Sequence, residues 1–287
     1  MKGHQLTVIG AGVMGRGIAY VGVLGGFSVN LVDVSEEALQ NAQQEIEKNF
    51  EKGLSRGKLT DEEAKRARAQ LNLITNMDDA AKESDIIIEA VPERKELKKS
   101  VFETIDRVAP KKCIFATNTS TMSPTEIGSY TNRPSSVIAM HFFNPVHKMP
   151  LVEIIRGLET SDETADFVEQ VAKRMGKETV VVNEFPGFVT SRISCLVGNE
   201  AFYMLQEGLG TPEDIDKAIK LGLNYPMGPF ELVDLVGLDT RLNNLRYLHN
   251  TLGEKYRPAP LLEQYVKSGR IGRKVGIGVY DYRDNGE

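Results

Sequence analysis

A glycine-rich turn follows a short apolar run in the stretch Val8-Ile9-Gly10-Ala11-Gly12-Val13-Met14-Gly15. The apolar run at residues 6–9 predicts a buried β-strand, and the apolar spacing at residues 14–24 predicts a helix. Glycines at this spacing permit the tight turn and the close packing that a strand-to-helix connection needs. The chain is therefore predicted to begin with a strand, a glycine turn and a helix.

Outward from this turn, strand-like runs alternate with helical patterns. The predicted strands cover residues 6–9, 29–32, 71–75, 86–89, 113–117, 137–141, 151–155 and 179–182. The clearest helical pattern between them covers residues 95–108. Such alternation is typical of a parallel sheet with right-handed crossovers, so we predict an α/β Rossmann-type N-terminal domain.

The pattern changes after residue 182, because no strand-like run follows until the tail. Helical patterns are found at residues 188–207, 212–221, 238–252 and 261–268. A length of 287 residues suits two domains. We predict a Rossmann domain at 1–184 with a helical hairpin insertion, and an all-α domain at 185–287. The tail at 269–282 is expected to be ordered only by docking.

Composition and charge argue against several classes of protein. The net charge is −5 and no long Lys/Arg tract occurs, which disfavours nucleic-acid binding. No apolar run is long enough to cross a bilayer and no targeting segment precedes residue 6, so we expect a cytoplasmic protein. Cys113 and Cys195 are predicted to be buried, reduced thiols. No metal site is predicted, because no Cys/His pair has ligand spacing.

The glycine turn also predicts a dinucleotide cofactor. Its first glycine permits the turn, its second lets backbone approach a pyrophosphate, and its third lets helix and strand pack closely. The carboxylate of Asp33 follows the second strand and can accept hydrogen bonds from both ribose hydroxyls, which favours NAD over NADP. A structural turn and an FAD site are the alternatives. The predicted cofactor-binding residues here are Gly10, Gly12, Val13, Met14, Gly15 and Asp33.

A second pattern concerns proton transfer. His141 ends a predicted strand, and Glu153 lies just inside the next one. If the intervening loop reverses the chain, both side chains reach the same sheet edge, and Glu153 can hold the imidazole while His141 takes a proton. A core histidine beside a solvated glutamate is the alternative.

A polar segment, Asn118-Thr119-Ser120, follows the strand at 113–117. Short polar side chains at the carboxyl edge of a parallel sheet can hydrogen-bond a nicotinamide or a substrate oxygen. They can equally cap the helix that begins near Ser123. Both interpretations stay open on chemistry alone.

Together these motifs resemble the short-chain L-3-hydroxyacyl-CoA dehydrogenases, among them the bacterial 3-hydroxybutyryl-CoA dehydrogenases. The resemblance runs over nearly the whole chain. It is carried by the segments at 10–19, 88–93, 117–120, 141–146, 151–153, 186–188, 226–230 and 272–274. An ordered set of this kind is far more specific than any one of its members.

The resemblance implies roles for individual residues. His141 would be the general base, Glu153 its partner, and Ser120 a catalytic residue that hydrogen-bonds the substrate oxygen near the nicotinamide. Further contacts to the cofactor would come from Glu93, Lys98, Ser120 and Asn144.

The helix at 35–55 would belong to a hairpin that holds coenzyme A. The residues implied to bind substrate are Asn49, Lys52, Arg56, Ser120 and Ser191, with Lys58 nearby. A solvated helix end is the alternative for this basic cluster. The family commonly has Asn in place of Ser191 and a basic residue in place of Ile277, so the chain departs from the family pattern at these two positions.

We therefore expect NAD-dependent oxidation of (S)-3-hydroxyacyl-CoA to 3-ketoacyl-CoA, and its reverse, by a homodimer. The acyl substrate would be a thioester such as 3-hydroxybutyryl-CoA, with Pro226–Phe230 shaping the acyl pocket. One alternative is a related dehydrogenase acting on a free hydroxy acid such as L-gulonate. Another is a non-catalytic NAD-binding protein.

Overall fold

The computed structural model describes residues 4–283. The chain divides into two compact units with the boundary between Glu184 and Phe185. Residues 1–3 and 284–287, at the outer ends of the two predicted domains, lie outside the described residues.

The first unit is built on one eight-stranded sheet with the order β3-β2-β1-β4-β5-β6-β7-β8. Its strands are β1 Gln5–Ile9, β2 Ser28–Val32, β3 Leu71–Ile74, β4 Ile86–Glu89, β5 Ile114–Thr117, β6 Val137–Phe142, β7 Leu151–Arg156 and β8 Glu178–Asn183. Neighbouring strands run parallel except for β6 and β7. The predicted α/β Rossmann-type fold is confirmed.

Seven helices belong to the described part of this unit. They are α1 Val13–Leu24, α2 Glu36–Ser55, α3 Asp61–Arg68, α4 Met77–Ala81, α5 Lys95–Val108, α6 Pro124–Gly128 and α7 Asp162–Arg174. Ser35 caps α2, and Thr60 with Glu63 forms a reciprocal capping box on α3. These caps define a helical pair, α2 and α3, in the crossover between β2 and β3.

Apolar residues cover both faces of the sheet. In β4, Ile86 and Ile88 face a core formed with α1, α2 and α7, whereas Ile87 faces a core formed with α4 and α5. All three isoleucines are fully buried. A strand buried on both faces reads as a continuous apolar run, which is why the sequence pattern located it.

The antiparallel pairing of β6 and β7 departs from an otherwise parallel sheet. The connection at residues 143–150 is too short for a helical crossover, which takes a dozen or more residues. The chain therefore reverses, and the register sets His141 directly opposite Glu153.

The described part of the second unit is helical. Its helices are α8 Thr190–Gln206, α9 Pro212–Gly222, α10 Pro229–Val236, α11 Leu238–Leu252 and α12 Pro260–Lys267. Their core includes Phe202, Phe230 and Leu245, all fully buried. Helix α10, which has eight residues, was not among the predicted helices. The predicted all-α domain is confirmed.

Both cysteines are free and buried, as predicted. Burial raises the pKa of the Cys113 thiol to about 12, which keeps it protonated and unreactive. Across residues 4–283, no helix combines the length and the apolar character that spanning a membrane requires. Within the same residues, no group of three or more acidic, histidine or cysteine side chains could hold a metal ion.

Two buried carboxylates anchor the C-terminal tail. Asp234 accepts hydrogen bonds from the backbone N–H groups of Val279 and Tyr280, at 2.8 and 2.9 Å. Asp216 accepts one from the hydroxyl of Tyr280 at 2.8 Å. The tail is thus docked by acceptors of its own unit, which the sequence analysis did not identify.

We predict that Asp234→Ala destabilises the protein by about 2–4 kcal/mol, because two buried backbone N–H groups lose their acceptor. The matched control is Asp239→Ala, which removes an exposed ion pair with Lys274 and changes stability by no more than about 1 kcal/mol. Urea denaturation of the full chain measures both. Equal losses would contradict the anchoring role of Asp234.

Candidate active site

The glycine turn joins β1 to α1 as the sequence analysis expected. Gly10 has a φ of 103°, a left-handed conformation that favours glycine. A Cβ atom at Gly15 would lie 1.7 Å from the carbonyl oxygen of Gly10, so only glycine fits there. At Gly12 a Cβ atom would meet nothing within 4 Å. The space over Gly12 is open, and the start of α1 faces it with free backbone donors, as a pyrophosphate requires.

Asp33 follows β2 and fixes this turn. Its carboxylate accepts hydrogen bonds from the backbone N–H of Ala11 at 2.9 Å and from that of Ser35 at 3.0 Å. A carboxylate has about four acceptor positions, so two remain for ribose hydroxyls. Asp33 therefore suits an adenosine ribose with a free 2′-hydroxyl.

A cavity of about 930 Å³ connects these elements. Its lining includes the predicted residues Gly10, Gly12, Val13, Met14 and Asp33. The volume falls at the upper end of that of small-molecule sites, which suits a dinucleotide. The residues present therefore fit the cofactor that the sequence predicts.

A buried ion network lies at the carboxyl ends of β4 and β5. The ammonium of Lys98 contacts both carboxylate oxygens of Glu89, at 2.7 and 2.8 Å, and an oxygen of Glu93 at 3.0 Å. Lys98 and Glu89 are fully buried. Thr117 donates a further hydrogen bond to Glu89 at 2.7 Å. Glu89 thus holds Lys98, and Lys98 in turn pairs with Glu93; both Lys98 and Glu93 were predicted to contact the cofactor.

Glu93 in turn holds the loop after β5. Its carboxylate accepts hydrogen bonds from the hydroxyl of Thr119 and from the backbone N–H of Ser120 at 3.2 Å. Burial acts to raise the pKa of Glu93, but the Lys98 ammonium and the hydrogen bonds from Thr119 and from the backbone of Thr121 outweigh it and lower the pKa below its usual value. A carboxylate that stays ionised fixes the position of Ser120.

The polar segment at 118–120 connects the ends of neighbouring strands at the sheet edge. The side-chain amide of Asn118 accepts a hydrogen bond from the backbone of Phe142 at 3.0 Å, which ties the end of β5 to the end of β6. Ser123, not Ser120, caps α6. Ser120 is half-buried at the same sheet edge.

His141 and Glu153 are in direct contact across β6 and β7. Nδ1 of His141 lies 2.8 Å from Oε2 of Glu153. Glu153 is fully buried, and the imidazole is nearly so. The ring of Phe143 packs on the imidazole with centroids 4.6 Å apart. The side chain of His141 therefore has one defined orientation. Asn144, which was assigned to the cofactor, is exposed two residues beyond β6.

A second cavity, of about 540 Å³, lies beside α2. Its lining includes Asn49, Lys52, Arg56 and Lys58, which the sequence analysis assigned to coenzyme A or placed near it. It also includes three basic residues from elsewhere in the unit, His147, Lys148 and Lys177. We call this the cationic cavity. No acidic residue lines it among the described residues, so it suits an anion.

The remaining predicted residue, Ser191, belongs to the second unit. It is half-buried in the first turn of α8. Nearby, an apolar cavity of about 330 Å³ is lined by Val189, Ile193, Met227 and Pro229, among others. The segment expected to shape an acyl pocket, Pro226–Phe230, thus contributes to a cavity within its own unit.

Comparisons with known proteins cover almost the whole chain. Residues 5–185 match the family model for the NAD binding domain of 3-hydroxyacyl-CoA dehydrogenase, and residues 187–282 match the model for its C-terminal domain. A probable 3-hydroxybutyryl-CoA dehydrogenase of Bacillus subtilis is 46% identical over 99% of both chains. A 3-hydroxybutyryl-CoA dehydrogenase of Bradyrhizobium diazoefficiens is 43% identical over 97% of this chain and 95% of that protein.

The fold is also similar to solved structures. The crystal structure of (S)-3-hydroxybutyryl-CoA dehydrogenase from Ralstonia eutropha superposes with a TM-score of 0.94 at 42% identity. The match covers 98% of this chain and 99% of that one.

We predict that Gly12→Ala and Gly15→Ala separate binding from folding. Because the space over Gly12 is open, alanine there leaves stability unchanged or slightly higher but obstructs the pyrophosphate and raises the Kd for NADH about tenfold or more. Alanine at Gly15 collides with backbone and lowers stability by at least about 1–3 kcal/mol. Fluorescence titration and thermal unfolding measure the two effects. Wild-type NADH affinity in Gly12→Ala would refute the assignment.

Proposed function

The chain belongs to the 3-hydroxyacyl-CoA dehydrogenase family, and we propose that it catalyses the NAD-dependent oxidation of (S)-3-hydroxyacyl-CoA to 3-ketoacyl-CoA, and the reverse reaction. 3-Hydroxybutyryl-CoA is the proposed substrate, in line with the names of its relatives. The observation that carries the proposal is the contact of 2.8 Å between His141 and Glu153 in the same unit as the glycine turn.

The cofactor NAD supplies the hydride acceptor when it is bound. The chain's own residues hold it: the backbone of the glycine turn binds the pyrophosphate, and Asp33 binds the adenosine ribose. The buried network of Glu89, Lys98 and Glu93 fixes the polar loop that carries Ser120. Asp33 would repel a 2′-phosphate, which supports NAD over NADP.

His141 acts as the general base in alcohol oxidation. With a carboxylate beside Nδ1, the stable neutral tautomer carries its proton on Nδ1 and donates it to Glu153. Nε2 is then the nitrogen that accepts the substrate hydroxyl proton. As the imidazolium forms, the adjacent carboxylate stabilises its charge. In the reverse direction the same imidazolium returns the proton to the ketone oxygen.

Ser120 is the proposed hydrogen-bond donor to the substrate oxygen. Its backbone is held by Glu93, so its hydroxyl starts from a fixed position. A hydrogen bond to the oxygen polarises the carbonyl in the reductive direction. Substrate binding by Ser191 stays a prediction. Its hydroxyl can donate and accept a hydrogen bond, but it extends less far from the backbone than the usual asparagine side chain does.

The cationic cavity supports a coenzyme A thioester over a free hydroxy acid such as L-gulonate. Lys52, Arg56 and Lys58 form no ion pair with any acidic residue among residues 4–283. A small hydroxy acid would leave these charges unused, whereas the phosphates of coenzyme A would neutralise them. The His141–Glu153 pair likewise argues against a non-catalytic NAD-binding protein.

The predicted homodimer and cytoplasmic location stay predictions. Side chains in and near α8 and α9 support the former, because Ile193, Leu209 and Leu221 expose half or more of their surface. Exposed apolar surface of this kind is typical of an interface.

We predict that His141→Ala lowers kcat by about 10²–10⁴, the usual contribution of a general base. The Kd for NADH should stay within about twofold, since the glycine turn is untouched. Stopped-flow absorbance with acetoacetyl-CoA and NADH measures the rate. A kcat within a few-fold of wild type would exclude His141 as the base.

We further predict that truncating the substrate to its pantetheine thioester raises KM about tenfold or more, because the phosphates are lost. In Lys52→Ala/Arg56→Ala the full thioester should lose affinity, and the truncated one should bind as in wild type. Steady-state kinetics with both thioesters measures this. No difference between the two substrates would favour the free hydroxy acid.

A further inference from the structure

The loop at residues 143–150 links two sites of the first unit. It begins directly after β6, which ends beside His141, and its later residues His147 and Lys148 line the cationic cavity. Helix α2 supplies Lys52 to the same cavity. Basic side chains from α2 and from the loop between β6 and β7 therefore line the same cavity.

The side chain of Lys177 fixes the backbone of this loop. Its ammonium donates hydrogen bonds to the carbonyl oxygens of Val146 and, at 2.8 Å, of Met149. These two residues flank His147 and Lys148. Burial lowers the pKa of Lys177, and its side-chain nitrogen lies within hydrogen-bond distance of both carbonyl oxygens. His147 is thus held on a loop with a defined backbone.

The surroundings of His147 are basic. The ring of Tyr20 from α1 lies edge-on, with centroids 6.2 Å apart. Partial burial lowers the pKa of His147, and four ammonium groups lower it further. Those groups are Lys148 of the same loop, Lys177 before β8, Lys52 of α2 and Lys58 after α2. The imidazole is therefore mainly neutral at pH 7 when no anion is present.

A phosphorylated ligand reverses this balance. Its negative charges neutralise the lysines that disfavour the imidazolium, and an imidazolium N–H can donate a charge-assisted hydrogen bond to a phosphate oxygen. By linkage, a group whose pKa rises on binding takes up a proton from solution.

We infer that His147 is a phosphate-binding residue of the acyl-CoA site, which binds coenzyme A as the imidazolium and thereby couples substrate binding to uptake of a proton. This inference rests on the proposed function, since it assumes that the cationic cavity receives the phosphates of coenzyme A. It adds a binding residue from the loop at 143–150 to the cavity that Lys52 of α2 also lines.

The sign of the pH dependence follows. The pKa of His147 lies below its ordinary value without ligand and rises in the complex. The contribution of His147 to affinity is therefore fully present below both pKa values, falls as the pH rises between them, and is lost above both. Each unit of difference corresponds to a tenfold change in Kd.

Isothermal titration calorimetry of the full protein tests the inference. Coenzyme A and dephospho-coenzyme A are titrated at pH 7 in buffers of different ionisation enthalpy, which yields the number of protons taken up. We expect uptake with dephospho-coenzyme A that is lost in His147→Gln. The 3′-phosphate of coenzyme A has a pKa of about 6 and releases protons on binding. For this ligand, the difference in proton uptake between wild type and His147→Gln gives the contribution of the histidine.

His249→Gln is the matched control. His249 lies in the second unit, paired with an exposed glutamate, Glu254, so its loss should leave the proton uptake at the wild-type value. His147→Gln should weaken binding about tenfold at pH 6 and hardly at all at pH 8.5.

The outcomes separate the two proposals. If neither nucleotide binds and acetoacetyl-CoA is not reduced, the proposed function fails. If both bind and the substrate is reduced, but wild type takes up no more protons than His147→Gln, the function stands and the role of His147 is wrong.

Discussion

The antiparallel pairing of β6 and β7 is the constraint on which the proposed proton transfer by His141 and Glu153 depends. In a parallel arrangement the connection would need a helix, and His141 and Glu153 would belong to strands whose registers are set independently. Reversal through the short connection at 143–150 makes them direct cross-strand partners. The distance of 2.8 Å between Nδ1 and Oε2 follows from this register. A slip of one residue would move either side chain to the opposite face of the sheet.

Charge placement is the second organising feature. The chain carries a net charge of −5, yet five lysine and arginine side chains line one cavity without an acidic neighbour in its described lining. Elsewhere a buried ammonium, Lys98, is enclosed by the carboxylates of Glu89 and Glu93. Burial of an ion is tolerated only with such partners. The paired charges of Lys98, Glu89 and Glu93 position residues, whereas the cationic cavity carries positive charge that suits an anionic ligand.

Much of this could be predicted from sequence, for identifiable reasons. Buried strands and the glycine turn have short-range signals, and so do capped helices such as α2. The contact of His141 with Glu153 could be stated only conditionally, because the direction of β7 depends on the connection. Glu89 was missed although it ends an apolar strand, where an acidic side chain is unusual. Lys148 and Lys177 carry no local signal, since surface lysines are common and folding alone brings them to α2.

The helical pair α2 and α3 occupies the crossover between β2 and β3, whereas the proposed proton-transfer pair, His141 and Glu153, belongs to β6 and β7. Only the part of the proposed coenzyme A site that α2 and the turn after it supply is thus encoded apart from the proposed proton-transfer pair. Exchange of this appendage is therefore a route by which the same reaction centre could be adapted to a different carrier. His147, Lys148 and Lys177 would be retained in such an exchange, because these residues of the cationic cavity lie outside α2 and α3.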